Sequence, residues 1–329
     1  MSSTDERITI PDFMASWPIK AESEQWLRDY EGIEDAFVDK IIRGRFPDIA
    51  CLIYGHQAKE HCLLMALIML HFFVIDEETD HEEEAAVREK TEAMARALQR
   101  PGSLALSKSD AWVGIRMAAD ITTRYSAAGT HGSWKFFVDT FIDYLDGVAE
   151  EAAARDKPIL SRTEYLALRF KTIGVLPGMA MVLIDCELQD GFLDLDIVKS
   201  LMGLTVLILI HQNDIYSFDK EQARGEDGHN GVRVLMEERK IGVQEAMDRL
   251  GSETGNLVKQ FVRLCMNLPT LEDETNNAHF RVLRDGCISW ITGMEVWYTQ
   301  VTKRYGMQNL GKDRKYRPSQ FRRDMSSRG

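Results

Sequence analysis

Proline is scarce in this chain, eight among 329 residues, and no stretch rich in proline, glycine and serine divides it. A chain of this length with 44% hydrophobic residues can bury a large core, and without a linker it reads as one domain. Strand-like alternation is also rare. One 3.6-residue pattern follows another, so the expected class is all-α. The five cysteines (Cys51, Cys62, Cys186, Cys265, Cys287) lie far apart, with no CxxC pairing. An odd number of them, with no leader segment recognised ahead, fits free thiols in a reducing, cytoplasmic compartment. Long apolar runs are missing. Leu63 to Ile75 and Ile197 to Ile210 fall short of the ~20 residues of a membrane span, so they read as buried core helices and no stable membrane insertion is expected. Positive charge is short too, with a net charge of −12. That balance excludes binding a polyanion by general electrostatics, so nucleic acid is not an expected partner. A small anion would need bound cations or a local basic cluster.

Turn residues divide the chain into expected elements. Residues 1–20 read as irregular, with Pro11 and Pro18 marking turns. Helical patterns cover about 21–45, 47–54, 57–80, 82–100, 109–125 and 133–155. Ser161-Arg162-Thr163-Glu164 has the capping-box form and opens a helix. Gly174 and the Pro177-Gly178 pair are expected to break it. Helix resumes to about Cys186, then over 193–221, 243–268 and 272–304. Residues 311–329 form a basic tail, expected to be mobile in part.

Two clusters carry chemistry. Asp76 to Glu84 holds seven acids in nine residues. They sit where an apolar helix finishes, at the negative end of its dipole, a placement that costs a few tenths to ~1 kcal/mol per charge. A solvated helix end is the plain alternative, but acids gathered there call for cations, and Asp76 and Asp80 share a helix face. The second cluster follows the second apolar run. Asn213, Ser217 and Glu221 fall at i, i+4 and i+8, which stacks an amide oxygen, a hydroxyl and a carboxylate on one face. Asn and Ser are not favoured inside helices. Hard oxygen donors of this kind suit Mg²⁺. Asp214 and Asp219 point elsewhere on the helix. Two such clusters on an apolar helical body point to chemistry on a diphosphate with a greasy tail.

At these residues the chain resembles the class I terpene synthases of fungal and bacterial type. Asp76-Glu77-Glu78-Thr79-Asp80 is similar to their aspartate-rich first motif, with Glu77 in place of the second aspartate. Asn213-Asp214-Ile215-Tyr216-Ser217-Phe218-Asp219-Lys220-Glu221 is similar to their Asn/Ser/Glu motif. Arg304-Tyr305 resembles the terminal Arg-Tyr pair, and Arg169 upstream of Gly174 resembles the diphosphate-sensing arginine. The resemblance covers nearly the whole chain.

It implies an all-α, single-domain helical bundle around a central apolar cavity, with the catalytic domain at 21–310. It implies three Mg²⁺ ions, two held by Asp76 and Asp80 and the third by Asn213, Ser217 and Glu221. Arg169, Lys220, Arg304 and Tyr305 would donate to the diphosphate. Phe72, Phe73, Ile173 and Trp297 would line the pocket of a carbocation, which aromatic faces stabilise. The implied reaction is ionisation of a linear prenyl diphosphate, farnesyl diphosphate by family frequency, to a sesquiterpene hydrocarbon or alcohol. Geranyl diphosphate or a linear alcohol product is the alternative. A chain-elongating prenyltransferase would carry a second aspartate-rich motif in place of Asn213/Ser217/Glu221. The product, its stereochemistry and the choice between monomer and homodimer are not encoded in any residue singled out.

Overall fold

The computed structural model describes residues 19–102, 111–155, 157–271 and 273–305. The basic tail and all but the last two residues of the expected irregular N-terminal segment lie outside them. Among the described residues the regular structure is helical: α1 (Ile19–Arg28), α2 (Asp35–Arg43), α3 (Pro47–Tyr54), α4 (Lys59–Thr79), α5 (Glu84–Leu98), α6 (Val113–Ala128), α7 (His131–Ala154), α8 (Arg162–Thr172), α9 (Val175–Val182), α10 (Asp196–Arg224), α11 (Gly231–Arg239), α12 (Val243–Met266) and α13 (Glu274–Val296). Ile19 and Lys20 are therefore helical, where irregular chain was expected.

α4 is apolar all round from Leu63 to Ile75 and is buried along most of that length. A helix without a polar face belongs inside a bundle. It packs on α1, α3 and α6, while α10 packs on α12 and α13. One apolar core runs from Ile19 to Val301. A smaller cluster around Phe218, Val232, Leu235 and Leu250 joins α10, α11 and α12. No single described helix is long and apolar enough to cross a membrane.

Three departures from ideal helix shape the interior. First, α8 ends at Gly174, whose φ of 71° is a left-handed conformation that only glycine adopts cheaply. The chain bends there by 43° into α9. Pro177 and Gly178, expected to break the helix as well, lie inside α9. Pro177 falls in the first turn, where its missing N–H is not needed. Second, α10 continues to Arg224 before Gly225 caps it, so the whole Asn213–Glu221 segment is helical. Third, α13 stops at Val296, and a π turn over Trp297–Val301 follows, where one helix through 304 was expected. The wider turn ends in extended chain at Thr302 and carries Arg304 and Tyr305 away from the α13 axis.

The core holds one titratable group with a measurable consequence. His71 on α4 is 0% exposed. Its Nε2 lies 2.9 Å from Gly114 O, and its Nδ1 has no hydrogen-bond partner among the described residues. Burial pushes the imidazole pKa down to about 3, against ~6.5 in an unfolded chain. Below ~6.5 the unfolded chain therefore binds a proton that the folded state refuses. Stability from this residue is full above that pH and is lost on acidification at about 1.4 kcal/mol per pH unit. Urea unfolding between pH 6.5 and 4.5 should show a slope shallower by that amount in His71→Gln. Equal slopes would mean that His71 titrates normally in the fold.

Candidate active site

The ends of α4, α8 and α10, together with the segment after α13, surround a cavity of about 470 Å³. That lies within the ~300–1,000 Å³ range of small-molecule sites. Its wall carries Asp76 and Asp80 from α4 and its cap, Asn213, Lys220 and Glu221 from α10, Arg169 from α8, and Arg304 with Tyr305. The apolar wall comes from one or more turns back along the same elements: Phe72 before Asp76, Leu209 before Asn213, and Trp290 and Trp297 before Arg304. A polar end and an apolar chamber thus follow from helices that share one polarity pattern.

All the residues singled out from the sequence reach this wall except Ser217, which is 2% exposed and sits behind it. The Asn230 amide Nδ2 donates to Ser217 Oγ at 3.3 Å and to Glu221 Oε2 at 2.9 Å. Asn230 was given no ligand or catalytic role from the sequence. It lies on the loop before α11, and no helical period marks it. Asn213 is also engaged. Arg169 donates to its Oδ1 at 2.5 Å, and its Nδ2 donates to Tyr298 Oη at 2.8 Å. Ile173, the last residue before the Gly174 bend, faces the cavity, as do Phe72, Phe73 and Trp297. Phe72 stacks on Phe141 at 5.0 Å and meets Tyr144 edge-on at 4.8 Å. Phe73 stacks on Phe46.

Burial disfavours the charged form of Asp76, Asp80 and Glu221 on the cavity wall. Asp76 has accessible surface, but that surface faces the cavity, and the surrounding protein raises its carboxyl pKa through desolvation. Burial, then the Asp76 charge, then Glu151 push Asp80 up to about 8. Burial raises Glu221 as well, against hydrogen bonds from Ser217 and Asn230. Burial and the neighbouring Arg304 lower Lys220 to about 8. Glu77 behaves differently. Burial would raise it, but the hydrogen bond from Lys40 and the Arg304 charge hold it below the usual carboxylate range. Arg304 donates to its Oε1 at 3.2 and 3.3 Å. Glu77 is spent on these two cations and does not reach the cavity wall.

The donor set suits a hard divalent cation. Carboxylate and amide oxygens line one cavity with the Ser217 hydroxyl behind its wall, the carboxyl groups are destabilised as anions, and protein N–H donors sit on the oxygens of Asn213, Ser217 and Glu221. Oxygen-only sites of this type favour Mg²⁺ over softer metals.

Comparisons with known proteins bear on the fold and the family. Several solved structures share the fold. The germacradien-4-ol synthase of Streptomyces citricolor superposes with a TM-score of 0.72 over 87% of this chain and 95% of that one, at 20% identity. An α-eudesmol synthase does so at 0.74, over 87% and 94%, at 19% identity. Among sequence relatives, a Delta(6)-protoilludene synthase of Stereum hirsutum is 29% identical over 321 residues, covering 94% of this chain and 91% of its own. The sesquiterpene synthase Agr8 of Cyclocybe aegerita is 26% identical over 324 residues, covering 92% and 88%. The family described as terpene synthase family 2, C-terminal metal binding, matches residues 68–260. That span opens inside α4, ahead of Asp76, and closes inside α12, past Asn230. Because it takes in both oxygen-donor clusters and more than half of the chain, this protein belongs to the terpene synthase family and is a lyase of that class.

Proposed function

We propose that the cavity binds a linear prenyl diphosphate, farnesyl diphosphate in the first place, and converts it to a sesquiterpene hydrocarbon or alcohol with release of diphosphate. The observation that carries this reading is the polarity of one cavity. Oxygen ligands and cationic donors occupy one set of helix ends, and aromatic and aliphatic side chains occupy the turns behind them. Relatives named as sesquiterpene synthases over most of both chains support a fifteen-carbon substrate.

Three Mg²⁺ ions, bound by Asp76 and Asp80 and by Asn213, Ser217 and Glu221, would supply positive charge to the diphosphate as its C–O bond breaks. Arg169, Lys220, Arg304 and Tyr305 add fixed donors to the same leaving group, and donors already in place cost no reorganisation during the reaction. The planar fork of arginine matches phosphate oxygens. The allyl cation that remains faces Phe72, Phe73 and Trp297, whose ring faces stabilise positive charge. Exclusion of water by the apolar wall favours rearrangement over quenching to an alcohol. We take residues 21–310 as the single catalytic domain, extended by the helical Ile19 and Lys20, with 311–329 as a basic tail. The cysteines described are all free, which supports a cytoplasmic setting.

The test is incubation with geranyl, farnesyl and geranylgeranyl diphosphates plus Mg²⁺, with volatile products identified by mass spectrometry. Farnesyl diphosphate should give the highest turnover, and excess chelator should abolish it reversibly. Undiminished turnover in chelator would refute the metal assignment. Preference for the ten-carbon substrate would replace the sesquiterpene reading.

A further inference from the structure

Asp214 follows Asn213 directly but does not join it on the cavity wall. It is 1% exposed and is held from three sides. The Tyr165 hydroxyl lies 2.7 Å from both carboxylate oxygens. The Gly231 N–H donates to the same carboxylate. Arg169 Nε stands 3.9 Å from Oδ1. Gly231 is required for this approach, because a Cβ there would collide with Asp214 Oδ2. The Asp214 main-chain oxygen accepts a further bond, at 3.0 Å, from Asn230 Nδ2.

Two rungs therefore join α8 to α10. Tyr165 and Arg169 are one turn apart on the same face of α8. Asn213 and Asp214 are consecutive on α10. The upper rung is Arg169 to Asn213 and the lower is Tyr165 to Asp214. A guanidinium on a long flexible stem is useful only when held, since fixing its side chain costs rotamer entropy, and small misplacements of a catalytic donor are costly. α8 runs out at Thr172, whose Oγ1 accepts a 3.4 Å bond from Arg169 Nη1, just before the left-handed Gly174. The Arg169 Nε is buried without a hydrogen-bond partner among the described residues, and the Asp214 carboxylate stands 3.9 Å away, outside hydrogen-bonding range.

We propose that Tyr165 and Asp214 are positioning residues for Arg169. Tyr165 fixes the Asp214 carboxylate, and that carboxylate, facing Nε, keeps the two terminal nitrogens of Arg169 turned toward Asn213 and the cavity. This rests on the reading of the cavity as a diphosphate site. It assigns a task to the acid inside the Asn/Ser/Glu segment that the ligand pattern leaves idle.

The test is calorimetric titration of inorganic diphosphate in saturating Mg²⁺ against the parent chain, Tyr165→Phe, Arg169→Ala and the double variant. Tyr165→Phe keeps the ring that packs edge-on against His229 at 5.2 Å, so it should fold. Asp214→Asn is the second probe, and melting curves report on both. Arg169→Ala should weaken diphosphate binding about a hundredfold and Tyr165→Phe about tenfold. The double variant should be no weaker than Arg169→Ala, because a residue acting through Arg169 has nothing left to act on. Unchanged affinity in both Tyr165→Phe and Asp214→Asn would overturn the proposal. So would a full tenfold loss added on top of Arg169→Ala, which marks a merely structural role. If Arg169→Ala itself binds diphosphate normally, the reading of the cavity falls instead.

Discussion

Glu221→Ala is expected to lower kcat/KM by about 10³-fold while melting at or above the parent temperature. The two halves of this expectation have one cause. Glu221 is a carboxylate whose burial disfavours its charge, a cost that Ser217, the Asn230 amide and the charges of Arg169 and Lys220 relieve without cancelling. Removing an under-compensated buried acid removes a cost from the folded state. The same acid is the strongest oxygen donor of the α10 face, so cation binding suffers most. Asn213→Ala should be as inactive but less stable, because it also releases Arg169 and Tyr298. Asp219→Ala should stay within about threefold of the parent, since Asp219 lies off the cavity wall. Turnover with farnesyl diphosphate, normalised to folded fraction, decides the matter. An Asp219→Ala variant as dead as Glu221→Ala would show that the wrong face of α10 had been assigned.

The α10 face was legible because its information is local. Three oxygen-bearing residues at i, i+4 and i+8 need only a helix to be brought together, and the apolar run before them supplies it. The same holds for Asp76 and Asp80, and for the Gly174 bend, where the one residue type suited to left-handed φ stands at the end of α8. What the sequence hid is non-local. Asn230 reaches Ser217 and Glu221 from across a loop, Tyr165 reaches Asp214 from another helix, and Glu151 adds its charge to Asp80 from α7. None of these shares a period with its partner. The π turn at Trp297 carries no residue signal either. It widens a helix whose composition would permit it to continue, and Arg304 reaches the cavity through it. Ser217 shows the reverse limit. Spacing puts it in line with Asn213 and Glu221, yet it sits behind the cavity wall with the Asn230 amide on its Oγ.

The first motif yields the other large effect. Arg304→Ala should cost about 10²–10³-fold in kcat/KM, whereas Glu77→Gln should cost about tenfold. By sequence the two acids Asp76 and Glu77 are neighbours in one motif and invite one role. Their surroundings separate them. Asp76 faces the cavity, where a cation would bind it, with its pKa raised by burial. Glu77 already has two, bonded by Lys40 and Arg304, and is held below the usual range. Arg304 also lies over the Phe46 and Phe73 rings, at 5.5 and 5.7 Å, so two aromatic faces and one carboxylate set its direction. Losing Glu77's charge leaves the rings in place and loosens Arg304 without deleting it. Losing Arg304 deletes a donor to the leaving group and leaves Glu77 with Lys40 alone. Steady-state kinetics with farnesyl diphosphate across a Mg²⁺ series separate the two outcomes. Glu77→Gln should keep the Mg²⁺ dependence of the parent, because Glu77 holds an arginine and not a metal. A Glu77→Gln enzyme that loses as much as Arg304→Ala and regains it at high Mg²⁺ would make Glu77 a cation ligand, and the division of the motif into one ligand and one arginine holder would be wrong.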